Sequence, residues 1–255
     1  MAASPAARTA GAARRRRALR ALSTALLVAG ALILVDAVLT LAWQEPLTAL
    51  QTKLRQNRLR DDLRGIEVAG PTRLEARALA GIDDEQRRVA FLARSLLRRT
   101  PAGGALGRID IPTIGANFVV VKGSQPADLR KGPGLYDRSA LPGVPGTTAI
   151  AGHRTTYLAP FRHIDDLRPG DPIVLHMPYA AFTYRVERTQ IVDPDALWIL
   201  RPVRYDRLVL SACHPLFSAA QRIVVFARLA GEVPGRTARG QPVQNIPARL
   251  TPPPS

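Results

Sequence analysis

Residues 182–187, Phe182-Thr183-Tyr184-Arg185-Val186-Glu187, alternate apolar and polar side chains one by one. A period of two is typical of a β-strand that buries one face and exposes the other to water. We therefore predict a strand over residues 182–192, of which 182–187 show the alternation. This predicted strand is the first indication that the domain around it is built from β-strands.

Further short β-like runs lie on both sides of this strand. They cover residues 106–111, 118–121, 147–151, 173–177, 207–212 and 222–229. Clusters of Gly and Pro separate them, as in Lys131-Gly132-Pro133-Gly134 and Arg168-Pro169-Gly170-Asp171-Pro172. Many short strands with such turns indicate a mainly all-β domain, either a closed barrel or a sandwich. We expect this domain to occupy residues 105–230.

The region before the domain is predicted to be helical. Leu47, Leu50 and Leu54 recur at helical spacing, and short apolar stripes of this kind usually pack against a domain or a neighbour. Gly65 and the Gly70-Pro71 pair are expected to interrupt the helix, and a second helix is predicted over 85–99. We therefore expect a helical stalk or linker over 44–104. The tail, 231–255, contains Pro and Gly but little apolar content, and we expect it to be disordered.

The N-terminus has the composition of a membrane anchor. Residues 21–43 hold one charged residue, Asp36, and a helix of this length spans about 34 Å, enough to cross a bilayer. Residues 1–20 contain six Arg and no acidic residue, so we expect them to form a basic cytoplasmic tail with the domain outside the cell. A cleaved signal peptide is the alternative. The only small-x-small match, Ala29-Gly30-Ala31, lies in the middle of the run, which favours an uncleaved single-pass anchor.

The chain carries a formal net charge of +16, which is compatible with binding to nucleic acid or to an anionic membrane. Its densest basic run, residues 14–17, adjoins the apolar segment and has no interleaved aromatic side chains that could stack on bases. The composition therefore favours the membrane, and we expect no nucleic-acid partner.

The chain has one cysteine, Cys213, which ends the apolar run Leu208-Val209-Leu210 and precedes His214-Pro215. A lone cysteine is a buried inert thiol, an intermolecular linker or a working thiol. The junction of a strand with a loop is a place where a reactive group can be exposed on a rigid base. This position favours the working thiol, although composition alone favours the inert one.

A thiol nucleophile needs a partner that exchanges protons near neutral pH, and histidine fits. Of the four histidines, His153 also follows a strand, whereas His214 is expected to point away from Cys213 because adjacent strand residues face opposite sides. His163 and His176 are expected to be surface or structural residues. Arg222 opens the last strand: it is either a solvated residue or an oxyanion donor beside the thiol. No His/Cys spacing matches a zinc site, so we expect no metal.

These residues lie in ordered sequence blocks that resemble the sortase family, and most closely the class E sortases of GC-rich Gram-positive bacteria. The blocks are Ala149-Ile150-Ala151-Gly152-His153-Arg154-Thr155-Thr156-Tyr157, Pro160-Phe161, Leu167-Arg168-Pro169-Gly170-Asp171, Leu210-Ser211-Ala212-Cys213-His214-Pro215 and Ser218-Ala219-Ala220-Gln221-Arg222. The resemblance covers about residues 105–229, roughly half the chain.

The resemblance implies an eight-stranded β-barrel without a cofactor. It also implies an extracellular cysteine transpeptidase that cleaves a Leu-Ala/Pro-x-Thr-Gly sorting signal between Thr and Gly. A thioacyl-enzyme then passes the substrate to an amine, either a cell-wall precursor or a pilin lysine. His153, Cys213 and Arg222 match the catalytic positions of the family. An anchored cysteine protease and an inactive module that binds sorting signals are the alternatives.

The resemblance also implies three substrate-binding residues, Tyr136, Thr155 and Ala212. Tyr136 resembles the class E tyrosine linked to a preference for Ala over Pro at the second position of the signal. Ala212 stands directly before Cys213, where the family usually has Thr, so one hydroxyl group of the usual pattern is missing.

Overall fold

The computed structural model describes residues 19–36 and 46–234, and it divides into two units, one ending at Leu47 and one beginning at Thr48. The first unit contains helix α1, Leu19–Asp36, whose 18 residues have a mean hydropathy of 1.8 and are not buried inside the protein. By length and composition this helix can cross a membrane. Residues 1–18 and 37–43 of the expected tail and span lie outside the described residues.

The second unit contains three longer helices and a closed eight-stranded barrel. Its helices are α2 (Pro46–Ala69, which begins just before the unit), α3 (Arg73–Ala80), α4 (Glu85–Arg99) and the short α5 (Pro126–Leu129). Its strands are β1 (Ala105–Ile111), β2 (Ala116–Lys122), β3 (Gly134–Leu135), β4 (Thr147–Ala151), β5 (Pro172–His176), β6 (Ala180–Val192), β7 (Arg207–His214) and β8 (Gln221–Pro234). Their order around the barrel is β1-β2-β3-β4-β7-β8-β6-β5, so the predicted eight-stranded barrel is confirmed.

Side chains at alternate positions of the strands point into the barrel and form its core. Leu208 and Leu210 of β7 belong to the main core, whereas Val209 between them belongs to a separate cluster on the outer face. Phe182, Tyr184 and Val186 of β6 all lie in the main core. The period-two pattern of residues 182–187 therefore marks the inward face of β6.

Two details of the strand prediction are wrong. Strand β3 was missed because its two residues lie inside a Gly/Pro cluster, where no alternation can be read. Strand β8 continues through residues 231–234, which we expected in the disordered tail, because they pair with 180–183 of β6. Residues 235–255 of that tail lie outside the described residues.

The helical region also differs from the expectation. Helix α4 matches the prediction, and the Asp84 side chain caps it by accepting a hydrogen bond from the Arg87 amide at 2.7 Å. Helix α2 runs straight through Gly65, which we expected to interrupt it, because one glycine costs a long helix only about 1 kcal/mol. Helix α3 was not predicted; it begins with a capping box formed by Thr72 and Glu75.

Helices α2 to α5 belong to the same compact unit as the barrel, apart from the first residues of α2. Leu79, Leu92 and Leu96 of α3 and α4 belong to the barrel's main core. On α2 the buried apolar residues are Leu59 and Leu63, which pack with Ala105, Val119 and Val121. Leu50 and Leu54 are 55% and 51% exposed, so they do not pack against the barrel, and their packing against a neighbour stays a prediction.

Candidate active site

Cys213 and Arg222 stand opposite each other in the antiparallel pair of β7 and β8. Their sequence neighbours Ala212 and Ile223 point into the main core, so alternation directs Cys213 and Arg222 to the outer face of the barrel. Both residues are partly exposed. Residues opposite each other in a ladder have Cβ atoms about 5 Å apart, which brings a guanidinium group within reach of the thiol.

His153 reaches the same edge from β4, which runs parallel to β7. Ala151 pairs with Ser211, and the Gly152 amide donates a hydrogen bond to the Ser211 carbonyl oxygen at 3.0 Å. His153 directly follows Gly152, and Cys213 lies two residues after Ser211 on β7. The topology therefore places all three predicted catalytic residues at one end of three neighbouring strands.

Close packing fixes the backbone beside His153. The Phe161 amide donates to the His153 carbonyl oxygen at 3.0 Å, and a Cβ atom on Gly152 would lie 2.4 Å from the Phe161 ring. Only glycine fits there, because Phe161 is fully buried and cannot move aside. Beyond His153, residues 157–159 all have positive φ angles although none is glycine, a strained conformation of the kind found at functional sites.

The imidazole of His153 lies in a partly buried environment. Its ring centroid is 4.9 Å from that of Tyr157, and its Nε2 atom is buried without a hydrogen-bond partner among the described residues. Burial, and then the positive charge of Arg130, lower the pKa of His153 below its ordinary value of 6.5. Both effects favour the neutral imidazole, which can accept a proton.

Arg154 connects the loop after His153 with the residue after Cys213. Its side chain is almost completely buried and lies 2.5 Å from the Asp165 carboxylate. Its Nε atom donates to the Arg162 carbonyl oxygen at 3.3 Å, and its Nη1 atom lies 3.2 Å from Nδ1 of His214. Since a guanidinium group only donates, Nδ1 of His214 is the acceptor. Burial raises the pKa of Asp165, but hydrogen bonds from Arg154 and from the backbone, together with nearby positive charge, outweigh burial and leave the pKa lowered.

A buried apolar cluster lies on the outer face of the barrel near these residues. It consists of Ala149, Val192, Ile199, Val209, Val224 and Phe226, each at most 8% exposed. The segment between β6 and β7, to which Ile199 belongs, packs onto the barrel here, with the Trp198 ring stacked on Phe226 at a centroid distance of 6.0 Å. This outer apolar cluster supports β4, β7 and β8, whose ends carry the predicted catalytic residues.

Comparison with known proteins identifies the family of the domain. The family model described as "Sortase domain" matches residues 109–230. This chain carries a sortase domain. Sortases are cysteine transpeptidases, and the resemblance seen in the sequence blocks is confirmed.

The relatives of this sortase domain come from several Gram-positive bacteria. Sortase D of Bacillus subtilis is 34% identical over 130 residues, which are 49% of this chain and 64% of that protein. Sortase SrtE1 of Streptomyces coelicolor is 32% identical over 108 residues, 38% of this chain and 30% of that protein, in agreement with the expected likeness to class E. The SrtF sortase of Corynebacterium diphtheriae has the same fold, with a TM-score of 0.51, 26% identity, and coverage of 54% of this chain and 90% of that one. The chain thus spans less than two thirds of either curated relative.

The predicted substrate residues of the sortase domain have different placements. The Tyr136 hydroxyl shares a 2.7 Å hydrogen bond with Oγ of Ser211, and the side chain packs against the outer apolar cluster. Thr155 is partly exposed in the loop after His153. Ala212 is 3% exposed and belongs to the barrel core, so its side chain points away from the outer face that carries Cys213.

Sequence reasoning missed Arg130 and Arg154. Arg154 directly follows His153, but nothing in the sequence separates a buried, bridging arginine from the many exposed ones. Arg130 acts on His153 across the fold, so it leaves no local signal. His163 is exposed, as expected, and lies 3.4 Å from Asp166. Among the residues that the structure describes, no cluster of His, Cys, Asp and Glu could hold a metal ion.

Proposed function

We propose that this protein is a membrane-anchored sortase that cleaves a sorting signal between Thr and Gly and transfers the acyl fragment to an amine. The observation that carries the proposal is the pairing of Cys213 with Arg222 in the β7–β8 ladder, beside the end of β4 from which His153 follows. Catalysis by a thiol needs a nucleophile, a proton carrier and an oxyanion donor, and these three side chains supply one each.

In the first step the Cys213 sulfur attacks the carbonyl carbon of the threonine while His153 accepts the thiol proton. The oxyanion that forms faces the guanidinium group of Arg222. The C–N bond then breaks, His153 returns the proton to the departing glycine amine, and a thioester remains on Cys213. An acceptor amine attacks this thioester, loses a proton to His153 and releases the thiol. The product is a new amide bond.

The substrate is an extended peptide that lies beside the partly exposed Cys213 and Arg222, at the ends of β7 and β8. Tyr136 is held next to the active site through Ser211, two residues before Cys213. We propose that its ring faces the second position of the signal and favours Leu-Ala-x-Thr-Gly over Leu-Pro-x-Thr-Gly. Thr155, in the loop after His153, is the second proposed substrate contact.

The apolar composition and length of α1 support the proposed anchor. This helix holds the catalytic domain at the membrane, and the six arginines of residues 1–20 keep the N-terminus in the cytoplasm with the sortase domain outside. Its partners there are secreted proteins with sorting signals and an amine acceptor on a cell-wall precursor or a pilin lysine.

The test is incubation of the full chain in detergent with both types of signal peptide and an oligoglycine amine, followed by mass spectrometry. We expect a product in which the threonine carbonyl is joined to the added amine, formed faster from the Ala peptide. Tyr136→Phe keeps the ring but removes the bond to Ser211, and Tyr136→Ala removes both. Exclusive release of the free threonine acid would identify a protease instead. Equal use of both peptides by the unmodified protein and the two variants would show that Tyr136 does not set the preference for Ala over Pro.

A further inference from the structure

The first half of α2 presents an apolar face that the barrel does not use. Leu50 and Leu54 lie one helical turn apart, and each exposes more than half of its surface. Residues four positions apart share a face, so the two leucines form one continuous patch. A pair of exposed leucines at this spacing on a rigid helix is a candidate contact surface.

The patch formed by Leu50 and Leu54 faces away from the barrel, because hydrogen bonds and apolar contacts hold the opposite face of α2 against it. Nε2 of Gln56 donates to the carbonyl oxygens of Lys131 at 2.7 Å and Val119 at 3.2 Å, and its Oε1 accepts from the Val119 amide at 2.8 Å. Leu59 and Leu63 bury the same face one and two turns later. At about 100° per residue, Leu50 and Leu54 point away from the barrel.

The surroundings of the two leucines are basic. Lys53, Arg55 and Arg58 are exposed, and none of them forms an ion pair with another described residue. Residues 46–60 contain no Asp or Glu, and the first acidic residue, Asp61, pairs with Arg64 at 3.6 Å. The basic, leucine-bearing surface is therefore limited to the first half of the helix.

The sequence places this surface close to a membrane. Only residues 37–45 separate the end of α1 from the start of α2. A helix with exposed leucines flanked by basic side chains, near the end of a spanning segment, suits the boundary between anionic headgroups and acyl chains.

We propose that residues 46–60 of α2 lie on the anionic lipid surface, with Leu50 and Leu54 in the headgroup region and Lys53, Arg55 and Arg58 beside the phosphates. The inference rests on the proposed membrane anchor. Since Gln56 ties α2 to the barrel, the same contact fixes the orientation of the sortase domain relative to the bilayer. A protein held in this way presents Cys213 at a defined height to substrates that arrive along the membrane.

The experiment uses the full chain with Cys213→Ala, so that an introduced cysteine is the only thiol. Leu54→Cys carries an environment-sensitive fluorophore, and the protein is reconstituted into vesicles of phosphatidylcholine and phosphatidylglycerol that contain a headgroup-labelled nitroxide lipid quencher. We expect a blue-shifted, quenched emission. Replacing Lys53, Arg55 and Arg58 with Gln should lower the equilibrium constant for binding of α2 to the lipid surface. We expect a loss of roughly fivefold per residue, on the order of a hundredfold in total. Vesicles of phosphatidylcholine alone, which carry no net charge, should lower the same equilibrium constant to a similar extent.

Leu74→Cys is the matched control, because Leu74 is also an exposed leucine, 76% exposed, but lies on α3. Equal quenching at positions 54 and 74 would overturn the inference, as would emission at position 54 that stays that of a water-exposed label. Self-quenching that grows with protein density would assign the patch to a second copy instead. Flotation separates the two proposals: a protein that floats without quenching keeps its anchor and loses the α2 contact, and one that does not float loses both.

Discussion

Arg222 is the residue whose proposed role is most sensitive to side-chain shape. It stands opposite Cys213 in the ladder, and its Nη1 atom donates to the carbonyl oxygens of Ala219 and Gln221, both at 3.0 Å. These bonds hold the guanidinium group in place before a substrate arrives. A preorganised donor stabilises the oxyanion of the transition state more than it stabilises the substrate.

We predict that Arg222→Lys loses a factor of about 10² to 10³ in kcat with little change in KM, because loss of an oxyanion donor costs about that much. Lysine keeps the charge but not the planar fork of donors. The measurement is steady-state kinetics on one signal peptide, with Arg222→Ala beside it. A near-normal kcat in Arg222→Lys would reduce the residue to a source of positive potential, and a harmless Arg222→Ala would make it a surface residue.

The pKa of His153 is the second quantity to test at this scale. Arg130→Gln removes one of the two causes that lower it, so we predict a higher pKa, while burial keeps part of the shift. An NMR titration of the imidazole in the Cys213→Ala background measures it directly, with Arg94→Gln on α4 as a control of equal charge. An unchanged pKa in Arg130→Gln would contradict the assignment.

The lowered pKa of His153 also makes the stability of the fold depend on pH. The unfolded chain binds the proton of His153 more readily than the folded one. The contribution of the neutral imidazole is therefore complete above pH 6.5 and is lost as the pH falls from there through the folded pKa.

The candidate site could be predicted from the sequence where a residue sits at a visible strand end. Cys213 and His153 follow apolar runs, and Arg222 opens one, so their positions were readable before the fold was known. Arg130 and Arg154 were not, because their importance comes from burial and from contacts distant in the sequence. The inward direction of Ala212 follows from alternation, but only once the register of β7 is fixed.

At the scale of elements, the turn from β4 into the His153 loop depends on one glycine. We predict that Gly152→Ala costs about 1–3 kcal/mol of unfolding free energy, because its Cβ atom would overlap the buried Phe161 ring. Gly65→Ala is the matched control: its Cβ atom meets nothing within 4 Å on α2, so it should stabilise by about 0.5–1 kcal/mol. Chemical denaturation of both variants checks this, and equal effects would show that the space at Gly152 is not limiting.

The clamp between α2 and β2 is the second test at this scale. Gln56→Leu leaves the buried amide of Val119 without its partner, so we predict a loss of about 1–3 kcal/mol in unfolding free energy. Gln51→Leu changes the same residue type on the exposed face of the helix and should have little effect. Similar losses in the two variants would mean that α2 does not depend on this clamp.

The elements that could be predicted were those with a clear period. Strand β6 and helix α4 have one, and both were placed correctly within two residues. Strand β3 is too short to show alternation. The leucines at the start of α2 are periodic but exposed, because periodicity shows that a face exists and not which partner covers it.

At the scale of the molecule, the proposed action at a membrane surface rests on the apolar composition of α1 and the basic start of α2. The family could be recognised from the order of the His, Cys and Arg blocks along the chain. The attachment of the helices to the barrel could not, because it is set by long-range contacts such as those of Gln56 with Val119 and Lys131.

The central claim is that Cys213 carries the acyl fragment of a sorting signal. The most direct measurement is mass spectrometry of the full chain after incubation with a signal peptide, first without and then with an amine acceptor. We predict a mass increase equal to the peptide up to its threonine, located on Cys213, removed by the amine with formation of the new amide, and missing in Cys213→Ala. Turnover of the peptide by Cys213→Ala at the normal rate, with no adduct in the unmodified protein, would contradict the account.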